Sequence, residues 1–412
     1  MNTEVTTQIF DKIQIIVKVS ERCNLNCSYC YYFNGSDQSY RQRPAIFKKD
    51  VVEKLISDLS NMMMSGVKIN NLDIVFHGGE PLLLKRKYLK EILENFRSKF
   101  ENKTNLTFGV QTNGTLVDQS FIDLVNEYSI GVGVSIDGNK FIHDKFRVYK
   151  SGRGSFDDVV RGIKMLQEGI DLKKAPAVGV ISVVSNKEDL LSTYSYLVDE
   201  MDIERISFLY PDATHDEWTS DTFFDVNNLG EALLGCVEKW SEKPEIAFKN
   251  INDYLDALRN YDYIEDEKTM TIELNSISKS QFTPFRMVIV RSDGGLYHYD
   301  RFLPAEADKL LAASDESNIR NIYFLDYLNS NTFVEIDRIY KNKHEKCDAC
   351  LYKTICGGGD LQHRYSIKNG FNNPSIYCND IKYLFDKTNE KLIASGYPEN
   401  EIKEKLGNRF LI

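Results

Sequence analysis

The chain has 412 residues, of which 42% are hydrophobic and 27% charged, a composition typical of a globular protein, and its length predicts two domains. Its formal net charge of −10 argues against nonspecific nucleic-acid binding, which needs a basic surface. No apolar run approaches the ~20 residues of a membrane span, and the N-terminal residues lack the pattern of a signal peptide. We therefore expect a cytoplasmic protein that binds neither nucleic acid nor membrane.

Apolar runs alternate with amphipathic segments through the first half of the chain. Strands are predicted at 13–19, 72–76, 106–111, 131–136, 178–184 and 205–209. Helices are predicted between them, at 48–64, 86–100, 119–128, 156–168 and 188–199. This alternation predicts βα units around a parallel sheet, with ligand sites at the carboxyl ends of the strands.

The alternation stops after residue 211. Helices are predicted at 226–241, 251–260, 332–342 and 381–394, and the turn Ser292-Asp293-Gly294-Gly295 predicts a hairpin between strands at 285–291 and 296–299. We divide the chain into a βα domain at 1–211, a helical bridging region at 212–284 and a C-terminal domain at 285–412.

Three cysteines, Cys23, Cys27 and Cys30, follow the first predicted strand with the spacing C-x3-C-x2-C. Three thiolates on one short loop can hold three irons of a [4Fe–4S] cube and leave the fourth iron open. An open metal position is typical of catalytic sites. The alternatives are a zinc site or cysteines of the core, but zinc favours four ligands and closer cysteine pairs.

Four more cysteines form a second set near the C-terminus: Cys347, Cys350, Cys356 and Cys378. Four thiolates can close a structural zinc site or ligate every iron of a [4Fe–4S] cluster, and the spacing does not decide between them. Clustered cysteines in a chain of this size indicate metal rather than disulfides. The eighth cysteine, Cys236, is predicted to pack inside a helix.

Polar and glycine residues follow the second, third and fourth predicted strands. Each segment by itself is an ordinary turn, since Asn-Gly and Asp-Gly pairs are common there. At a shared edge of the sheet they become candidate ligand contacts: Gly78, Gly79, Glu80, Thr112, Asn113, Ser135, Asp137 and, slightly later, Arg147.

The motif C-x3-C-x-aromatic-C, with Tyr29 at the aromatic position, resembles that of the radical S-adenosylmethionine (SAM) superfamily. The resemblance implies a partial (β/α)6 TIM-like barrel whose open iron binds SAM. In that family an electron from the cluster cleaves SAM, and the resulting 5′-deoxyadenosyl radical abstracts a hydrogen atom from the substrate.

The turn with Gly78, Gly79 and Glu80 resembles the family's GGEP motif, which holds the SAM amino group. The segments at Thr112–Asn113 and Ser135–Asp137 resemble the family segments that line the SAM pocket. Arg147 is a candidate to bind the SAM carboxylate, because a guanidinium can make bidentate hydrogen bonds to it.

The C-terminal cysteines resemble those of the SPASM domain of peptide- and protein-modifying radical SAM enzymes, which often holds two auxiliary clusters. Tyr299, Asp300 and Asp360 stand where cysteines of the two-cluster form are expected. The resemblance therefore implies one auxiliary [4Fe–4S] cluster, beside the core cluster and SAM.

Two shorter segments, Tyr210–His215 and Gly357–Tyr365, resemble the SPASM enzymes that cross-link aromatic residues of ribosomal peptides. The resemblance implies a precursor-peptide substrate and a cyclophane, in which an aromatic ring is joined to a nearby β-carbon. The auxiliary cluster would take an electron, and Asp300 would take the proton as catalytic base. We expect an external electron donor of the flavodoxin or ferredoxin type. The sequence shows no N-terminal winged-helix module for leader recognition, so we expect the leader to dock elsewhere on this chain or on a separate leader-binding protein.

Two other classes of function compete with this hypothesis. One is a different SPASM modification: formylglycine formation, epimerisation or thioether formation, which the core motifs do not separate from cross-linking. The other is a non-catalytic iron–sulfur or zinc scaffold, which would turn over no SAM and would have no need of Gly78, Gly79 and Glu80.

Overall fold

The structure is a computed structural model that describes residues 8–35, 38–184, 186–217, 228–259, 281–299, 305–311 and 317–407. Within these ranges the strands form one sheet. They are β1 (Gln8–Ser20), β2 (Lys68–Gly78), β3 (Asn105–Thr112), β4 (Gly131–Ser135), β5 (Gly179–Val183), β6 (Arg205–Leu209), β7 (Ala247–Phe248), β8 (Gln281–Val290) and β9 (Leu296–Tyr297).

The strands are arranged in the order β7-β6-β5-β4-β3-β2-β1-β8-β9. Every neighbouring pair is parallel except β8 and β9, which are antiparallel. The six predicted strands therefore lie side by side in sequence order, and the predicted parallel sheet is confirmed. The carboxyl ends of β1 to β6 meet at one edge, which places the loops after them close together.

The helices of the first half connect successive strands. They are α1 (Tyr31–Asn34), α2 (Lys49–Met64), α3 (Arg86–Phe100), α4 (Gln119–Tyr128), α5 (Lys140–Phe146), α6 (Phe156–Gly169) and α7 (Lys187–Ser195). The prediction of one helix over 188–199 differs slightly, because the α-helix ends at Ser195 and a π-helical turn covers Tyr196–Glu200.

The later helices lie in the second half of the chain. They are α8 (Leu229–Trp240), α9 (Lys249–Arg259), α10 (Ala305–Leu310), α11 (Phe324–Leu328), α12 (Asn331–Lys341), α13 (Glu345–Asp348), α14 (Lys353–Cys356), α15 (Leu361–Arg364), α16 (Cys378–Ala394) and α17 (Glu399–Gly407). No helix in the described part of the chain is both long and apolar enough to cross a membrane.

Helical periodicity accounts for how the helices cover the sheet. In α3 the buried side chains recur three and four residues apart and form one apolar face. They are Leu89, Ile92, Leu93, Phe96 and Phe100. Side-chain caps begin several helices; at α4, for example, Asp118 accepts a hydrogen bond from Phe121 N at 2.8 Å.

The C-terminal part of the chain contributes to the same sheet. Strand β8 pairs in parallel with β1, and the predicted hairpin is confirmed by the pairing of Ile289 with Tyr297. Helix α8 contacts both α7 and α16, and the ring of Tyr254 in α9 stacks on Phe385 in α16 at 4.3 Å. Cys236 is fully buried in α8. The domain boundaries at 211 and 284 remain predictions.

Candidate active site

The core cysteine loop, residues 23–30, begins after β1 and is attached to the segment that follows α5. Asn26 N donates a hydrogen bond to Val148 O at 2.8 Å, and Ser28 N donates to Phe146 O at 3.1 Å. These bonds involve main-chain atoms only. The position of the loop against the segment after β4 therefore does not depend on what its cysteine side chains ligate.

The three thiols of this loop are close enough to influence one another. Burial raises the pKa of Cys23 to about 12 and that of Cys27 to about 11, and the negative charge of the neighbouring sulfurs adds to both shifts. Burial also raises the pKa of Cys30. Thiols of this kind stay protonated at neutral pH unless a metal ligates them, since coordination deprotonates a thiol.

Hydrogen-bond donors face the sulfur atoms. Leu25 N donates to Cys23 Sγ at 3.4 Å, and Asn113 Nδ2 lies 3.7 Å from the same sulfur. Two main-chain N–H groups that follow Cys30 lower the pKa of its thiol. Because hydrogen bonds to sulfur stabilise the ligands of iron–sulfur clusters, these residues fit the predicted core cluster.

The turn after β2 lies directly against the start of the core cysteine loop. Gly79 N donates to Ser20 O at 2.7 Å, and Glu80 N donates to Arg22 O at 2.9 Å. A Cβ atom on Gly78, whose φ is +143°, would lie 2.3 Å from Ser20 O. A Cβ atom on Gly79 would lie 2.3 Å from Arg22 O. Glycine at both positions is what permits this approach.

The carboxylate of Glu80 is buried and connects the ends of β2 and β3. It accepts hydrogen bonds from Thr112 Oγ1 at 2.6 Å, Asn113 N at 2.8 Å and Leu82 N at 2.9 Å. Burial raises the pKa of Glu80, and the three donors oppose that shift. Glu80 therefore holds the turn against the end of β3, and its contact with the SAM amino group stays a prediction.

Two other predicted contacts lie next to this turn. Asn113 Nδ2 donates to Asn24 Oδ1 at 2.9 Å, and Asn113 Oδ1 accepts from Thr115 N at 3.0 Å. Ser135 Oγ, at the end of β4, accepts from Gln111 Nε2 at 2.9 Å. The loops after β1 and β3 are thus connected by side chains.

Tyr29, Asp137 and Arg147 come together although the sequence separates them. Asp137 Oδ2 accepts hydrogen bonds from the Tyr29 hydroxyl and from Arg147 Nε, the latter at 2.8 Å. Asp137 Oδ1 accepts from Val183 N at 3.1 Å. Asp137 therefore joins the core cysteine loop to the ends of β4 and β5.

The guanidinium of Arg147 has N–H donors that no described residue accepts from. Burial lowers its pKa, but the nearby Asp137, Tyr29 and Cys27 together outweigh burial and hold the pKa well above its ordinary value. Its carbon Cζ lies 5.4 Å from the centroid of the Tyr29 ring. None of the described residues accepts a hydrogen bond from its two Nη groups. Those groups can bind a carboxylate while Nε holds Asp137.

Two buried cations lie near the core cysteine loop and escaped the sequence analysis. Lys18 Nζ is 3.3 Å from His77 Nδ1 and 5.4 Å from the centroid of the Tyr32 ring. The Arg291 guanidinium lies 5.9 Å from the same ring and 4.0 Å from that of Tyr297. For Lys18 the available signal was its position inside the apolar run at 13–19, which predicts that its charge is buried with the strand.

The four C-terminal cysteines also converge. Burial raises the pKa of Cys356 to about 11, and Cys378, Cys347 and Cys350 each raise it further through their charge. Burial raises the pKa of Cys347 as well, and the nearby charge of Arg364 opposes that shift. The structure therefore brings together the set that the sequence predicts as ligands of the auxiliary cluster.

The surroundings of this second set fit a negatively charged group with several acceptors. The Nε and Nη1 atoms of Arg364 are buried and have no hydrogen-bond acceptor among the described residues. Gly358 N–H lowers the pKa of the Cys356 thiol, and Gly357, Gly358 and Gly359 all have positive φ. No three His, Cys, Asp or Glu side chains in the described ranges surround a single metal ion. A [4Fe–4S] cube does not need three side chains around one metal ion, because each of its thiolates ligates a different iron.

Asp300, the predicted base, lies outside the described residues. Tyr299 and Asp360, which stand at the other predicted positions of cysteines from the two-cluster form, are described. Asp360 Oδ2 lies 3.9 Å from His363 Nδ1, and the Asp360 side chain is about half exposed.

The loop after β6 contacts the C-terminal cysteine region. Tyr377 donates a hydrogen bond from its hydroxyl to Pro211 O at 2.8 Å, and its ring lies 4.6 Å from that of Tyr210. His215 N donates to Tyr365 O at 2.9 Å. This loop therefore connects the sheet edge to the second cysteine set.

Comparison with known proteins identifies similar chains. Residues 17–194 match the Radical SAM superfamily. The Cysteine-type anaerobic sulfatase-maturating enzyme of Clostridium novyi (strain NT) is 25% identical over 395 residues, which cover 92% of this chain and 95% of that one. The Serine-type anaerobic sulfatase-maturating enzyme of Bacteroides thetaiotaomicron is 31% identical over 199 residues, or 48% of this chain and 45% of the relative.

The fold is that of a solved relative. Native anSMEcpe with bound AdoMet superposes with a TM-score of 0.72 at 22% identity, covering 93% of this chain and 99% of that one. Native anSMEcpe with bound AdoMet and Cp18Cys peptide gives 0.71 over the same share of this chain and 98% of that one. The predicted radical SAM fold with a partial barrel is confirmed, as is the resemblance to SPASM-type peptide-modifying enzymes. The cyclophane-forming subset is not among these relatives, and the alternative of another SPASM modification is better supported.

Proposed function

Because this chain carries a radical SAM domain and is homologous over most of its length to anaerobic sulfatase-maturating enzymes, we propose that it oxidises a side chain of a peptide or protein substrate. The observation that carries the proposal is the convergence of the core cysteine loop, the Gly78–Gly79 turn and the Asp137–Arg147 pair at one sheet edge. A scaffold would have no need of such a constellation.

The residues of this edge have separate tasks. Cys23, Cys27 and Cys30 would hold three irons of the core cluster. When bound, SAM and the reduced cluster supply a radical that removes one hydrogen atom from the substrate. Arg147 would bind the carboxylate of SAM with its Nη groups, while the turn at 78–80 would accept from its amino group. The electron that reduces the core cluster would come from a flavodoxin or ferredoxin type of donor.

Removal of one hydrogen atom leaves a carbon radical that must still lose one electron and one proton. The four thiols of Cys347, Cys350, Cys356 and Cys378 would hold the auxiliary cluster that accepts the electron. The proton needs a base at the same place, and Asp300 remains the candidate from the sequence. Together with the hydrogen atom removed first, the loss of this electron and proton makes a two-electron oxidation of the substrate.

We propose the β-carbon of a peptidyl cysteine or serine as the position oxidised, giving an aldehyde. The relatives named as Cysteine-type and Serine-type sulfatase-maturating enzymes support this choice. In the cysteine case the thioaldehyde formed first would exchange its sulfur for the oxygen of water and release hydrogen sulfide.

Cyclophane formation is the second candidate, with a precursor peptide as substrate and, in that case, a separate leader-binding protein. It begins with the same loss of hydrogen from a β-carbon, after which the radical attacks an aromatic ring. One observation favours it: the two segments that carry the resemblance contact each other, since His215 N donates to Tyr365 O.

In the test, the anaerobically reconstituted protein is incubated with SAM, a strong reductant and one of three peptides. The peptides are a cysteine-type sulfatase peptide, its serine counterpart, and a short aromatic-containing peptide encoded beside the gene. A hydrazide-reactive aldehyde supports formylglycine formation, and loss of two hydrogens with a new internal C–C bond supports the cyclophane. The Cys23→Ala variant should give neither product nor 5′-deoxyadenosine. Iron-loaded protein that never cleaves SAM with any peptide would contradict the proposed function.

A further inference from the structure

Arg364 is one of the largest fully buried side chains of the protein, and only part of its guanidinium is used by the fold. Nη2 donates hydrogen bonds to Phe371 O at 3.1 Å and to Ile339 O at 3.4 Å. Nε and Nη1 are equally buried, yet no described residue accepts from them. A buried charged donor without an acceptor is strongly destabilising, so these two N–H groups indicate an acceptor that is not protein.

The second cysteine set lies next to these donors. The charge of Arg364 acts on the thiols of Cys347 and Cys356. A Cβ atom on Gly358 would lie 3.5 Å from Arg364 Nη1, so the glycine loop that follows Cys356 passes beside the guanidinium. The unused donors and the four thiols thus belong to one small region.

Two cationic side chains, Arg364 and Lys343, lie near each other in this region. No carboxylate of the described residues forms an ion pair with Arg364, and the Lys343 side chain is also adjacent, with Cδ 3.7 Å from the Gly358 Cβ position. Lys343 Nζ donates to a main-chain oxygen, that of Tyr340, at 2.7 Å. A [4Fe–4S] cluster with four thiolates is negatively charged and exposes sulfur acceptors, so it would supply the acceptors that Arg364 Nε and Nη1 lack.

We propose that Arg364 donates hydrogen bonds from Nε and Nη1 to sulfur atoms of the auxiliary [4Fe–4S] cluster and thereby raises its reduction potential. The inference rests on the auxiliary cluster of the proposed function. Taking up one electron adds one negative charge to the cluster, and a fixed neighbouring cation stabilises the reduced form more than the oxidised form. The electron comes from the substrate radical, which loses a proton in the same oxidation, so Arg364 makes the cluster a better acceptor.

The potential can be measured without SAM or peptide. A full-length Cys23→Ala, Cys27→Ala, Cys30→Ala background retains only the auxiliary set, and an anaerobic redox titration followed by EPR gives its midpoint potential. In this background Arg364→Gln should shift the reduction equilibrium at least tenfold toward the oxidised form, which is about 59 mV for one electron. Arg364→Lys keeps the positive charge but loses the planar guanidinium with its several donors, so its midpoint potential should lie between those of the Arg364→Gln variant and the background.

Arg286→Gln is the matched control. Arg286 is also buried, but its guanidinium pairs with Asp337 at 2.7 Å, so its removal should leave the potential unchanged. An Arg364→Gln protein that titrates at the potential of the unsubstituted background overturns the proposal.

A second measurement detects the hydrogen-bond contact itself and not its effect on the potential. In the same background, labelled with 15N-arginine, pulsed EPR of the reduced cluster should detect hyperfine coupling to a guanidinium nitrogen, and Arg364→Lys should abolish it. Absence of the coupling, or four cysteines that assemble no [4Fe–4S] cluster, overturns the proposal. Failure to assemble the cluster would also count against the proposed function. An assembled cluster that lacks the coupling overturns only the role of Arg364, because neither measurement depends on peptide oxidation.

Discussion

Asp137 accepts a hydrogen bond from Arg147 Nε at 2.8 Å, and both side chains are buried. The same carboxylate accepts from the Tyr29 hydroxyl and from Val183 N, so one side chain connects three segments that are distant in sequence. The core cysteine loop is therefore positioned by residues that follow β4 and β5, and the Arg147 donors that remain point to a ligand carboxylate.

Breaking this pair should cost stability as well as activity. Asp137→Asn leaves the Arg147 charge buried without its partner, a change that typically lowers the free energy of unfolding by about 3 kcal/mol or more. Denaturant unfolding should show that loss, and SAM binding should weaken because the guanidinium is no longer oriented. Asp157→Asn is the control, since Asp157 pairs with Lys140 on the exposed surface and should unfold almost as the parent does.

A methyl group on Gly79 should separate the turn after β2 from the core cysteine loop. The added Cβ would lie 2.3 Å from Arg22 O, a main-chain atom that cannot move away by a side-chain rotation. Gly79→Ala should therefore reduce SAM cleavage at least tenfold in an assay of 5′-deoxyadenosine, while iron content stays near that of the parent. In the control Gly179→Ala the nearest atom is Arg205 Cβ at 3.5 Å, an ordinary contact, so cleavage should be nearly unchanged. Equal rates in the two variants would contradict the close approach.

His143 should make the fold sensitive to acid. Burial lowers the pKa of its imidazole from 6.5 to about 4, and the ring is held by Asp137 N at 3.3 Å and Ser155 Oγ at 3.0 Å. A folded pKa below the unfolded value contributes stability that is complete above pH 6.5 and is lost as pH falls toward 4. The loss is about 3 kcal/mol, from roughly 1.4 kcal/mol for each pKa unit.

Unfolding at a series of pH values measures this contribution as the difference between the parent and His143→Gln. The difference should shrink as pH falls from 6.5 to 4, whereas a His344→Gln control, at a partly exposed position, should unfold in parallel with the parent. A difference that stays constant over that range would show that the imidazole is not held neutral.

Iron content should distinguish one auxiliary cluster from two. The two cysteine sets predict about eight irons per chain, four in each cube, whereas the two-cluster SPASM form would hold about twelve. Removing Cys23, Cys27 and Cys30, or removing Cys347, Cys350, Cys356 and Cys378, should each halve the iron and sulfide. Zinc in place of iron at the second set would contradict the auxiliary cluster.

The parallel sheet and both cysteine sets were predictable because their signals are local. A buried strand is a short apolar run, and metal ligands on one loop have fixed spacing. The hairpin at Ser292–Gly295 is local in the same way. The pairing of β8 with β1 was not predicted, because no sequence signal specifies which strand becomes the neighbour across an open edge.

The roles of individual polar side chains were harder to predict. Glu80 and Arg147 were expected to contact SAM, which stays a prediction. The sequence did not indicate that Glu80 accepts from three protein donors or that Arg147 donates to Asp137. Lys18 and Arg291 were missed because a buried cation is recognised only from what surrounds it.

The sequence by itself determined the chemistry that this protein can support: which thiols are available, how they are spaced, and which glycines allow two loops to touch. Those properties depend on neighbours along the chain. Only the tertiary structure decided which donors are already used and which remain free, as at Arg147 and Arg364. Hydrogen-bond partners come from residues far apart in sequence, and burial, which makes an unused donor significant, exists only after the chain has folded.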